Sequence, residues 1–145
     1  MVSKEKDRTY FSLRLQDLLN KKFPEKAWDS EFVNYRSRLA ANAYQGARTA
    51  GNPINQCEEI ADYILFEGLH FSKFETVFNV ICQKFDTLME EDELHAFAMK
   101  MLPVCLPVFA NYRLSDDFAT TTDFKQLCVE LTKTIANWTE ENGLL

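Results

Sequence analysis

Glycine and proline are scarce, with four of each in 145 residues, and 46% of the chain is hydrophobic. That mix excludes a disordered or low-complexity segment, which has too little apolar surface to offset the entropy of ordering. Period-two alternation bounded by hairpin turns is missing, so no sheet is expected. The longest apolar run, Met101 to Ala110, contains two prolines and falls well short of the ~20 residues that cross a bilayer. The opening Met1-Val2-Ser3-Lys4-Glu5-Lys6-Asp7-Arg8 is charged and has neither the apolar stretch nor the small-residue cleavage site of a secretory signal. A cytoplasmic location without membrane contact is the resulting expectation.

Closely paired cysteines are lacking too. Cys57, Cys82, Cys105 and Cys128 lie 23 to 25 residues apart with no C-x-x-C pair, so each is expected to be a reduced thiol packed as a small hydrophobe. There is no Gly-rich phosphate loop, no G-x-S-x-G elbow and no H-E-x-x-H. The common motif-bearing enzyme classes therefore lose support, no cofactor is expected, and the balance favours a non-enzyme.

What the chain does have is length for one core and helical spacing throughout. It reads as a single all-α domain over residues 1–145, a compact bundle of six to seven helices. Phe11, Leu15, Leu18 and Leu19 stripe a helix over about 8–21, and Phe32, Leu39, Ala43, Tyr44 and Ala47 stripe another over about 30–50, capped by Asp29 or Ser30 and left at Gly51. Asn52-Pro53 reads as an N-cap and first helical residue. Ile54, Cys57, Ile60, Ala61, Ile64 and Leu65 form the third buried face, ending at Gly68. Ser72-Lys73-Phe74-Glu75 has the form of a capping box ahead of Val77, Phe78, Ile81, Cys82 and Phe85.

The acidic run Glu90-Glu91-Asp92-Glu93 suits a helix start, followed by Leu94, Phe97, Ala98, Met101 and Leu102. Pro103 is expected to break or kink that helix and leave a short one over about 104–111. A polar loop from Asn111 to Thr122 precedes the closing helix, which aligns Phe124, Leu127, Cys128, Leu131, Ile135 and Trp138.

Charge is uneven: residues 1–55 carry ten Lys/Arg against six Asp/Glu, and residues 56–145 carry six against sixteen, giving −6 overall. An acidic whole argues against non-specific nucleic-acid binding. Lys21, Lys22, Lys26, Arg36, Arg38 and Arg48 keep a weak nucleic-acid reading through the basic first half as an alternative.

Glu67-Gly68-Leu69-His70 and Asp92-Glu93-Leu94-His95 each place an acid three residues before a histidine, as in carboxylate-histidine metal bundles. A metal-binding protein is a second alternative, opposed by the break at Gly68, and no metal ligand is assigned. Phe66, Phe71 and Phe74 around His70, and Phe109, Tyr112 and Phe118 around the loop, are expected in the core. Any aromatic left exposed would mark a protein-binding patch.

The blocks Asn52-Pro53, Leu65 through Phe74, Leu102-Pro103, Phe109-Ala110-Asn111-Tyr112, Leu114 through Ala119, Glu130-Leu131-Thr132, Ile135-Ala136 and Trp138 together resemble a family of small bacterial proteins. It is the domain-of-unknown-function family numbered eighteen ninety-six. The resemblance implies an all-helical fold and frequent residence on mobile elements beside DNA-processing genes, and it brings no activity. His70, Ser72, Lys73, Asp116 and Asp117 are polar residues within those blocks, and they are the candidate binding residues. The resulting expectation is a non-enzymatic accessory protein or adaptor with a protein partner, tied to mobile-element DNA processing.

Overall fold

In a computed structural model, which describes residues 7–143, six α-helices and three short 3-10 turns account for the regular structure, with no strand among the described residues. The helices are α1 (Arg8–Lys22), α2 (Ser30–Thr49), α3 (Ile54–Leu65), α4 (Lys73–Lys84), α5 (Glu91–Phe109) and α6 (Thr122–Asn142). They form two compact units, one up to His70 and one from Phe71 onward, each with its own apolar core.

The first unit begins where the Asp7 carboxylate accepts hydrogen bonds from the amides of Thr9 and Tyr10 at 3.0 and 3.2 Å, satisfying donors that have no partner inside a helix. Asp29 does the same for α2 through the Phe32 amide at 3.1 Å. In this unit α2 packs against both α1 and α3. Phe11, Leu15 and Leu19 of α1 are fully buried, each contributing about 1.5–3 kcal/mol of transfer free energy.

The buried face of α2 is Val33, Ser37, Ala40, Tyr44 and Ala47. Phe32, Leu39 and Ala43, expected on that face, lie along its flanks as half-buried residues. Ser37, Ala40 and Ala47 on that face take up little room between α2 and its two neighbouring helices, where a Phe-Leu stripe would need more. On α3 only Cys57, Ala61 and Leu65 are buried, and Ile54 and Ile60, expected inside, are exposed.

The link between α2 and α3 also departs from expectation. Gly51 provides the left-handed exit with φ +95°. Asn52 looks backward, its side-chain amide and its backbone N–H both donating to the Ala47 carbonyl at 3.1 Å. Pro53 occupies the cap position of α3 in extended conformation. Asn52 therefore closes the preceding helix instead of capping the next one, because Ala47 is among the carbonyls left open at the end of α2.

In the second unit α4, α5 and α6 pack against one another. The Ser72 hydroxyl caps α4 by accepting from the Glu75 amide at 2.9 Å. At the start of α5 the Glu93 carboxylate accepts from the Glu90 amide at 2.9 Å, so the acidic run serves the helix terminus as expected.

The expected break at Pro103 does not occur: α5 runs from Glu91 to Phe109 with Pro103 and Pro107 inside it. Each proline removes one helical donor and costs about 3 kcal/mol. Both prolines are exposed, so the carbonyls they orphan, on Met99 and Pro103, face water instead of the core. Met101, Leu102, Cys105 and Phe109 stay buried across the prolines, and that continuous apolar face holds the helix in one piece. The segment over about 104–111 expected as a separate helix is thus continuous with α5 up to Phe109.

Candidate functional site

Three of the quoted motif blocks, those carrying Phe71, Phe109 with Tyr112, and Phe118, meet in the second unit in a knot of rings. Phe71 meets Phe118, Phe109 and Phe124 with centroids 5.3, 6.4 and 6.3 Å apart, all near edge-to-face. Tyr112 packs on Phe118 at 5.7 Å. The Tyr112 hydroxyl donates to the Glu130 carboxylate at 2.7 Å, so the loop after α5 is pinned to α6. Desolvation, followed by that hydrogen bond and the Glu130 charge, pushes the Tyr112 phenol up to about 12. Edge-to-face pairs of this kind contribute about 0.5–1.5 kcal/mol beyond the area they bury.

The Phe71–Phe118 contact joins the turn that carries Ser72 and Lys73 to the turn that carries Asp116 and Asp117. Their chemistry there is local. Ser72 is buried, its hydroxyl capping α4 while its carbonyl accepts from the Thr76 hydroxyl at 2.8 Å. Asp117 accepts from the Ser115 hydroxyl at 2.7 Å, and its carbonyl accepts from the Thr120 hydroxyl at 2.8 Å. Lys73 opens α4 half-buried, and Asp116 is exposed in the turn. His70 is exposed at the end of the first unit. Capping and turn closure account for the two whose bonds are described, Ser72 and Asp117.

The acid-histidine pairs do not assemble a metal centre. Among the described residues no group of three or more His, Cys, Asp or Glu side chains is gathered to hold an ion. Glu67 and His70 straddle Gly68, whose φ of +79° ends the helical path. His95 packs its ring on Phe74 at 5.2 Å and Phe78 at 6.2 Å.

Cys57 and Cys105 are fully buried, and Cys82 and Cys128 are half-buried. Desolvation raises the thiols of Cys82 and Cys128 above the usual range and pushes Cys105 up to about 12. These thiols stay protonated near neutral pH, the opposite of what a nucleophilic cysteine needs.

The basic residues of the first half are partly consumed inside the first unit. Arg36 donates from Nη1 to the carbonyls of Glu67, Ile64 and Leu65 at 2.8, 3.2 and 3.3 Å. Helix α3 has no basic residue in its last turn, so Arg36 supplies from α2 the cation that its C-terminus favours. Lys21 pairs with Asp17 at 3.1 Å. Arg14, outside the predicted basic set, forks onto Asp62 at 2.6 and 3.1 Å and clasps α1 to α3. The Asp62 hydrogen bond raises the Arg14 guanidinium further above its already high range.

The feature the sequence reading did not find is a set of aromatics standing in solvent. Trp28 is 94% exposed, Tyr63 75% and Tyr35 53%. All three belong to the first unit, where Leu13, Ile54 and Ile60 are exposed as well. Trp28 walls a hollow of ≈ 390 Å³ with Gln16, Asn20 and Ser30, and the Arg38 guanidinium lies 5.6 Å from the Tyr35 ring centroid. A signal was available for Trp28, which sits in the polar connection after Pro24 and on no apolar stripe.

Among the described residues no helix is long and apolar enough to cross a membrane. Among curated proteins none matches the chain. In solved structures it is similar to protein PG0816 from Porphyromonas gingivalis, at 33% identity and a TM-score of 0.89 over 97% of this chain and 96% of that one. The model of the domain of unknown function DUF1896 matches residues 3–144, and the chain belongs to that family.

Proposed function

We propose that this chain is a non-enzymatic accessory protein that binds a protein partner through exposed aromatic side chains of its first unit, within a mobile-element DNA-processing machinery. The observation that carries the reading is Trp28, 94% exposed beside a hollow of ≈ 390 Å³. Tryptophan, tyrosine and arginine are the residue types in which binding energy concentrates at protein interfaces. Trp28, Tyr35 with its neighbour Arg38, and Tyr63 supply all three on one unit. Leaving a tryptophan in water forfeits the transfer free energy of its burial, and an interface recovers it. The mobile-element setting rests on the family resemblance alone.

The test compares the wild-type chain with a Trp28→Ala/Tyr63→Ala variant, each tagged and recovered from the native host with the proteins bound to it. Both side chains are exposed, so the variant keeps its helical circular dichroism. The reading expects a protein retained by the wild type and lost from the variant. Equal retention by both, or retention of nucleic acid instead of protein, overturns it.

A further inference from the structure

The second unit carries six Lys/Arg against twelve Asp/Glu, yet one surface of it is purely basic. A groove of ≈ 310 Å³ runs between α4 and α6, with Val80 and Lys84 on one wall and Phe124, Lys125, Cys128 and Val129 on the other. Its lining contains no aspartate or glutamate. Among the described residues neither Lys84 nor Lys125 has an acidic partner within ion-pair distance.

Helix stability explains Lys84, which lies in the last turn of α4, but not Lys125. That residue is the fourth of α6, near the positive end of the helix, where a cation is unfavourable. Val129 remains 48% exposed one turn further along. The surface thus combines an apolar floor with two cations that have no ion-pair partner among the described residues.

We propose that the α4–α6 groove docks an acidic amphipathic helix of a partner protein. Complementary charge selects the occupant, because carboxylates flanking an apolar stripe would meet Lys84 and Lys125 while the stripe covers Phe124, Cys128 and Val129. Shape agrees: the lining on α6 extends from Phe124 to Thr132, a length of about 12 Å at 1.5 Å per residue, which suits two to three turns of helix. The hollow is partly open to solvent, whereas sites for small molecules enclose roughly 70–90% of the ligand. This surface lies on the second unit and includes neither Trp28 nor Tyr63, so either proposal can fail without the other.

The probe is a synthetic peptide about 15 residues long, near the length at which an isolated helix becomes marginally stable, with a leucine stripe flanked by glutamates. It is titrated into the full-length ¹⁵N-labelled chain and followed by NMR. Saturable shifts confined to Val80, Lys125, Cys128 and Val129 are expected, weakened by salt and weakened roughly tenfold or more in a Lys84→Glu/Lys125→Glu variant. Both lysines are exposed, so the variant's unperturbed spectrum elsewhere confirms its fold. No saturable shifts, equal binding of the variant, or equal binding of a peptide with lysines in place of the glutamates overturns the proposal. So does octanoate competing at the same residues with equal affinity, which would make the site one for small apolar anions.

Discussion

The two units solve the same packing problem with different chemistry. The first is held across helices by arginines: Arg14 forks onto Asp62, and Arg36 closes the C-terminal end of α3. The second is held by rings, with Phe71, Phe109, Tyr112, Phe118 and Phe124 interlocked and Trp138 packed on Phe97 at 6.1 Å. Their surfaces differ in consequence. The first unit buries Phe11, Phe23 and Tyr44 among small residues and leaves Trp28, Tyr35 and Tyr63 outside, whereas among the described residues of the second unit no large ring is exposed. Motif blocks that look like a site in the sequence are mostly the signature of the ring knot, and the surface suited to binding lies elsewhere.

The contrast breaks most severely at the centre of the knot. Phe118→Ala removes a buried ring that touches Phe71, Tyr112 and Phe124. A loss of about 3–5 kcal/mol is expected, read as a lowered urea midpoint, and a loss under about 1 kcal/mol would mean that the knot is not a core.

Arg36→Ala is the matching cut in the first unit. It withdraws a donor shared by three carbonyls and is expected to cost roughly 1–3 kcal/mol. Amide exchange should rise at the end of α3. An unchanged exchange rate there would show that solvent caps α3 equally well.

Alkali should single out the second unit. Cys105 and Tyr112 are neutral when protonated, with ordinary values of 9.0 and 10.0, and the fold pushes both up to about 12. Between pH 9 and 12 the native state therefore holds protons that the unfolded chain has released, and stability falls as pH rises through that window. At neutral pH both contributions are fully present. Tyr112→Phe should flatten the slope above pH 10, and an unaltered stability profile between pH 10 and 12 would contradict the assignment.

The smallest change expected is a gain. The Ser37 hydroxyl is buried on α2 with no hydrogen-bond partner among the described residues. Ser37→Ala removes an unsatisfied polar atom and favours helix, stabilising the first unit by about 1 kcal/mol. A destabilised variant would indicate a bond or water at that hydroxyl.

Much of the fold was legible because helix signals are local. Asp29, Gly51, Ser72 and the Glu90 run do what their chemistry dictates at helix ends, and the all-α class follows from spacing alone. What misled was tertiary in origin. Pro103 reads as a breaker until its exposure shows that its orphaned carbonyl reaches water. Ile54 and Ile60 fit an apolar stripe, but α3 packs chiefly on one helix and buries a narrower face.

The change of core between the units was hidden for a similar reason. Leu69 serves the first core and Phe71, two residues on, serves the second, so no polar linker marks the passage. Of the candidate site, the turns at Ser72 and Asp117 were found by their residues, but their role is structural. Trp28 was missed because a residue on no stripe draws no attention in a search for stripes.

Each unit contains one tryptophan, Trp28 in the first and Trp138 in the second, and this makes the central contrast directly measurable. Iodide quenching of the two single-tryptophan proteins, made by Trp138→Phe and Trp28→Phe, reports the exposure of each ring. The account predicts that Trp28 emits as a fully hydrated indole and is quenched strongly, while Trp138 is blue-shifted and shielded. Equal shielding of both rings would contradict it and remove the exposed aromatic side chain on which the proposed partner binding rests.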